Sequence, residues 1–142
     1  MAKQLSVFLE NKAGGLASVT RTLGETGINI RALSISDSSD FCILRIIVSD
    51  PRQAYNVLND AGFTVSVTEV TAVRVQDTPG GLAAVLEQMS RANLNIEYMY
   101  AFLGTSKNDA LVIFKIEDNK KALVALKENG VQVIDEQELY KL

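Results

Sequence analysis

Leu5, Val7 and Leu9 alternate with Ser6, Phe8 and Glu10, the two-residue repeat of a half-buried strand. After Gly14 and Gly15 the period lengthens: Leu16, Val19, Thr20 and Leu23 recur at helical spacing until Gly27. A strand follows over 29–35, turn-forming residues fill Ser36 to Asp40, and 41–48 is apolar on both faces except at Arg45. Asp50-Pro51 opens a second helix that buries Ala54, Val57, Leu58 and Ala61, proline being tolerated in a first turn, and Gly62 ends it. Phe63, Val65 and Val67 begin a fourth alternating run that reaches Val70. The predicted order is β, α, β, β, α, β.

The chain then repeats this pattern. Asn11 and Asp77, Leu16 and Leu82, Val19 and Val85, Asn29 and Asn95, and Ile30 and Ile96 all stand 66 positions apart. Asp50 and Asp118, like Gly62 and Gly130, stand 68 apart. The two extra residues fall in the second hairpin, Gly104 to Asp109, where insertion costs little. This is a duplicated domain, with modules at 1–70 and 71–142. No linker separates them, because 71–75 alternates directly after the fourth strand, and Asp135 with Glu138 predicts a cap on a short helix, Gln137 to Lys141.

The fold class is therefore α+β: two tandem ferredoxin-like modules, each an antiparallel sheet with two helices on one face. On the other face Phe8, Phe41, Ile43 and Ile47, joined by Leu111 and Ile113, form an apolar patch larger than monomers usually expose, which predicts a homodimer. Cys42 shares its face with Leu44 and Ile46 and reads as a core thiol. Tyr98 and Tyr100 share theirs with Ile96 and Phe102, in a core or interface role, and Arg45 reads as a rim residue.

Composition narrows the chemistry. The 142 residues are 47% hydrophobic, enough for a core, and 17 acidic against 14 basic residues give a net charge of −3. Lysines and arginines are scattered, without the basic patch that nucleic acid or an anionic membrane requires. No signal-peptide pattern and no apolar stretch near about 20 residues occurs, so the expectation is a cytoplasmic protein. One cysteine and no histidine exclude an internal disulfide and paired-cysteine zinc sites, and remove the commonest general base and metal ligand. No catalytic residue, metal or cofactor is assigned. RNA-recognition domains share the strand order, but 41–48 lacks their basic-Gly-aromatic signature. Acylphosphatase-type chemistry shares it too, yet no strand-to-helix turn offers an arginine cradle.

The two strand-to-helix corners carry the remaining signal. The first amides of a helix have no intrahelical acceptor and lie at the positive end of its dipole, so they seat anions. Amides around Gly14, Gly15 and Leu16, or Gly80, Gly81 and Leu82, suit the carboxylate of a free amino acid, and Asn11 or Asp77 suits its ammonium. Asn29 and Ile30, or Asn95 and Ile96, complete the set from the adjoining strand. Asp77 is charged, which makes the second corner the stronger site. A ligand-free helix entry, capped by Asn11 or Asp77, is the competing reading.

The string from Glu10 to Leu16, Glu-Asn-Lys-Ala-Gly-Gly-Leu, continued by Gly27-Ile28-Asn29-Ile30, resembles the ACT domain, as does Asp77-Thr78-Pro79-Gly80-Gly81-Leu82 with Asn95-Ile96. The first copy departs from the family pattern at Ala13, where proline is usual. The resemblance implies a non-catalytic regulatory module of amino-acid metabolism, with an amino acid effector bound where two domains meet. The first copy is also similar to the regulatory subunit of acetolactate synthase, through Asn11, Gly14, Leu16, Val19, Gly27, Asn29 and Ile30, which implies a biosynthetic enzyme as partner. Two full modules leave little of the chain for docking such a partner.

Overall fold

The computed structural model describes residues 1–10, 12–37, 40–103 and 109–141. The elements are β1 (Ala2–Glu10), α1 (Gly15–Glu25), β2 (Ile30–Asp37), β3 (Phe41–Val48), α2 (Pro51–Asp60) and β4 (Thr64–Gln76). There follow α3 (Gly81–Arg91), β5 (Ile96–Ala101), β6 (Asp109–Ile116), α4 (Asn119–Glu128), β7 (Val133–Ile134) and α5 (Glu136–Lys141). They form two units: a first containing Lys3–Thr68 and Tyr140, and a second containing Met1–Ala2 and Glu69–Leu139. The predicted second hairpin tip, 104–108, lies outside the described residues.

Each unit has the ferredoxin-like strand order. In the first it is β2-β3-β1-β4, and in the second β5-β6-β4-β7, with β1 and β2 each antiparallel to β3, β6 and β7 each antiparallel to β4, and β5 antiparallel to β6. The registers repeat as well, since Glu10 faces Phe41 just as Gln76 faces Asp109. In the first unit Val19 and Leu23 of α1 and Ala54 and Leu58 of α2 close over Leu5, Val7, Leu44, Ile46 and Val48, with Cys42 packed partly buried against them. In the second, Val85, Met89, Ala122 and Leu126 cover Val73, Val75, Val112, Phe114 and Ile116. The helices α2 and α4 are capped alike: Gln53 N donates to Asp50 Oδ1 at 3.1 Å, and Lys121 N to Asp118 Oδ1 at 3.0 Å.

Simple alternation misplaces several side chains. Strand β1 is buried on both faces from Gln4 to Val7, and Gln4 Nε2 donates to Ser6 Oγ at 3.0 Å. Of the predicted open-face patch, Phe8 and Phe41 are exposed at 42% and 54%, whereas Ile47, Leu111 and Ile113 are buried. Part of the reason is α5. Arg74 lies on the face of β4 opposite Val73 and Val75, and its ion pair with Glu138 at 3.1 Å holds α5 on that side, the side of Leu111 and Ile113. The expected cap forms, Glu138 N donating to Asp135 Oδ1 at 3.0 Å.

Tyr98 and Tyr100 do not share a face with Ile96. A β-bulge between Ile96 and Tyr98 turns Ile96 to the core and both tyrosines to the opposite side, and the first unit has the same bulge between Ile30 and Ala32.

One core position changes from apolar to polar between the copies. Thr71, 66 positions after Leu5, is buried on the core side, and its hydroxyl has no protein hydrogen-bond partner among the described residues. Burying an unpaired hydroxyl costs about 1–3 kcal/mol. Thr71→Val keeps the shape and is expected to raise the unfolding free energy by about 1 kcal/mol, read from the urea midpoint.

Candidate functional site

Both glycine corners use the same backbone device. Gly14 (φ 91°) and Gly80 (φ 85°) are the N-cap residues of α1 and α3, in the left-handed region that glycine enters without steric cost. Neither helix has a side-chain cap, so Asp77 does not play that part, while Asn11 lies outside the described residues. At the second corner Gly81 N donates to Thr78 O at 3.0 Å and Ala84 N to Gly80 O at 3.0 Å. The amide of Gly81 is therefore used inside the turn, and Leu82 and Ala83 supply first-turn amides beyond it.

The corners differ in tightness. A β-carbon at Gly81 would lie 2.0 Å from Gln76 O, far inside contact distance, whereas at Gly15 the nearest atom, Glu10 O, is 3.8 Å away. The start of α3 is drawn hard onto the end of β4.

A cleft of about 550 Å³ opens at this second corner. Thr78, Pro79, Gly80 and Gly81 form one wall, Arg74, Gln76 and Asp109 the strand ends, and Asn129 to Gln132 the far side. Asp77 is exposed between two lining residues, and Leu82, like Leu16 in α1, is an exposed apolar residue in the first turn. Asn95 and Ile96 are not in this cleft. They follow the other end of α3, whose 11 residues span about 16 Å.

Asn95 instead lines a second cleft, of about 520 Å³, with Asn93, Glu117, Asp118, Asn119 and Lys120. Its carbonyl accepts from Glu117 N at 3.1 Å, as that of Asn29 accepts from Ser49 N at 3.0 Å. Ile30 and Ile96 pack partly buried against their cores. Within each unit, then, the glycine corner and the Asn-Ile pair stand at opposite ends of a helix.

Two cleft residues escape a motif reading. Arg74 Nη1 lies 3.4 Å from Asp109 Oδ2, and Arg74 Nη2 lies 3.1 Å from Glu138 Oε1. The matching positions of the first unit are Phe8 and Phe41, so the same two register positions are an ion pair in one copy and exposed aromatics in the other. Overlaying the copies residue by residue reveals this difference. The second corner thus combines amide donors at a helix start with a carboxylate and a guanidinium, a set able to hold both ends of a zwitterion. No group of three or more metal-ligating side chains occurs among the described residues, and no described helix is long and apolar enough to cross a membrane.

Comparison with known proteins places the fold. The family model described as an ACT domain pair matches residues 1–142. A solved structure of protein BT0572 from Bacteroides thetaiotaomicron is similar at 44% identity and a TM-score of 0.93, covering 99% of this chain and 96% of that one. The ligand-free regulatory subunit of aspartate kinase from Thermus thermophilus shares the fold at 19% identity and a TM-score of 0.65, over 89% of this chain and 90% of that one. The corresponding subunit from Thermus flavus does so at 20% and 0.60, over 89% and 90%. None of the curated proteins matches significantly.

Proposed function

We propose, from the premise that this chain belongs to the ACT domain pair family, that it is a non-catalytic regulatory protein that binds a free amino acid at the second glycine corner. One observation carries the reading: Gly80 and Gly81 border a cleft of about 550 Å³ that also holds Asp109 and Arg74. The carboxylate is taken by amides at the start of α3, at the positive end of the helix dipole. The ammonium is taken by Asp109, with Asp77 close by in the chain.

The first corner, with Gly14, Gly15, Leu16 and Asn11, is the weaker site, since Phe8 and Phe41 stand where the second corner has its charges. Asn29 and Ile30, or Asn95 and Ile96, contribute to a corner by meeting one from a second chain. Exposed Phe8 and Phe41 supply an apolar face for such a homodimer. Binding favours one arrangement by its differential affinity, and a cytoplasmic biosynthetic enzyme reads the change. The shared fold of the aspartate kinase regulatory subunits supports a partner of that kind.

A thermal-shift screen against the twenty amino acids tests the proposal. At one hundred times its dissociation constant, a bound amino acid adds about 2.7 kcal/mol to stability. Asp109→Ala is expected to abolish the response and Asn11→Ala to leave it. A response untouched by Asp109→Ala and Asp77→Ala moves the pocket elsewhere, and silence from all twenty removes the amino-acid reading.

A further inference from the structure

Arg74 serves two carboxylates on different elements, Asp109 at the start of β6 and Glu138 on α5. A guanidinium has donors enough for both, but one positive charge leaves the trio with a negative charge in excess. Arg74 and Asp109 line the cleft, and Glu138 does not. The side chains of Arg74, Asp109 and Glu138 are 18%, 32% and 49% exposed, so the trio runs from a screened interior toward solvent.

The helix at the outer end of this chain of charges is easily biased. With six residues, α5 is too short to persist by its own hydrogen bonds. Buried Leu139, the Glu138 ion pair and a hydrogen bond donated by Lys3 N to the Tyr140 hydroxyl at 3.0 Å help to hold it to the sheet, and Asp135 caps its start. The first unit has Phe8 and Phe41 at the equivalent positions, so the device belongs to the second corner alone.

We propose that Arg74 couples the cleft to α5. This rests on the amino-acid reading above. An ammonium placed on Asp109 supplies the positive charge that Arg74 had been sharing with it, and the guanidinium then pairs more fully with Glu138. Occupation of the cleft thereby fastens α5. Glu138 is a positioning residue, acting on the bound molecule only through Arg74. Coupling of this kind is reciprocal: whatever binding does for α5, a fastened α5 does for binding. Ion pairs this exposed shift equilibria by a fewfold.

The experiment uses the full chain and, of the twenty amino acids, the one giving the largest thermal shift. Amide hydrogen exchange over 137–141 is expected to slow about threefold when that amino acid is added. Glu138→Gln keeps the side chain's size and removes its charge. It is expected to weaken that amino acid about threefold in calorimetry, without lying in the cleft, and to erase its effect on exchange in α5. A purely structural Glu138 would loosen α5 and leave the dissociation constant alone, which overturns the coupling. Binding with exchange unchanged in both proteins overturns it too, while the corner reading stands. Absence of binding by any of the twenty overturns both.

Discussion

A methyl group at Gly81 is expected to cost about 2–3 kcal/mol and to abolish binding at the second corner. The added β-carbon would meet Gln76 O at 2.0 Å, and that oxygen belongs to the backbone, so either the end of β4 or the start of α3 must move. Overpacking of this kind costs about 1–3 kcal/mol even where flexible side chains share the strain. Gly15→Ala is the matched control. Its β-carbon would stand 3.8 Å from Glu10 O, an ordinary contact, and Gly15 has no positive φ. Removing a glycine there restricts the unfolded chain and is expected to stabilise by about 0.5 kcal/mol. Urea unfolding of the two variants checks the contrast, and equal destabilisation would mean that the corners are equally tight.

Phe114→Ala is expected to cost about 3–5 kcal/mol, the largest effect of any substitution considered. Phe114 is fully buried on β6, opposite Thr71 and Met99, and packs in the core with Val85, Met89 and Leu126. Removing the ring leaves a cavity that the two flanking strands, tied to β6 by ladder hydrogen bonds, have little freedom to fill. The urea midpoint should fall, and the slope should stay near that of the parent if the unfolded state is unaffected.

The duplication was legible because its signal is periodic and repeated: two glycine corners, two Asn-Ile pairs and two helix-opening aspartates at Asp50 and Asp118 keep their spacing. Such local devices need no knowledge of what lies across the sheet. The faces of Ile96 and Tyr98 were not legible, since a bulge is decided by the pairing partner and leaves a strand's own alternation unmarked. The helix at α5 announced itself through Asp135 and Glu138, but its location depends on partners remote in sequence, Arg74 more than sixty residues earlier and Lys3 near the start of the chain. The site divides in the same way. Gly80 and Gly81 declare a corner, whereas Asp109, in an unremarkable hairpin flank, gains meaning only beside Arg74. Asn95 belongs to the same motif as the corner, yet the length of α3 carries it to the other end of the unit.

The repeated bulge bears on curvature. Glu97 is the extra residue between Ile96, which pairs with Ile116, and Tyr98, which pairs with Lys115, and it is tied sideways to Lys115 at 3.0 Å. Arg31 is the extra residue between Ile30 and Ala32. A chain shortened by Glu97 retains every register partner and every inward and outward orientation in β5, and forfeits the ion pair with Lys115 and the local coiling that an unmatched residue imposes. Both copies have kept this superfluous residue at the same point, so the bend of the strand, separable from its packing, is what the doubled architecture has preserved there.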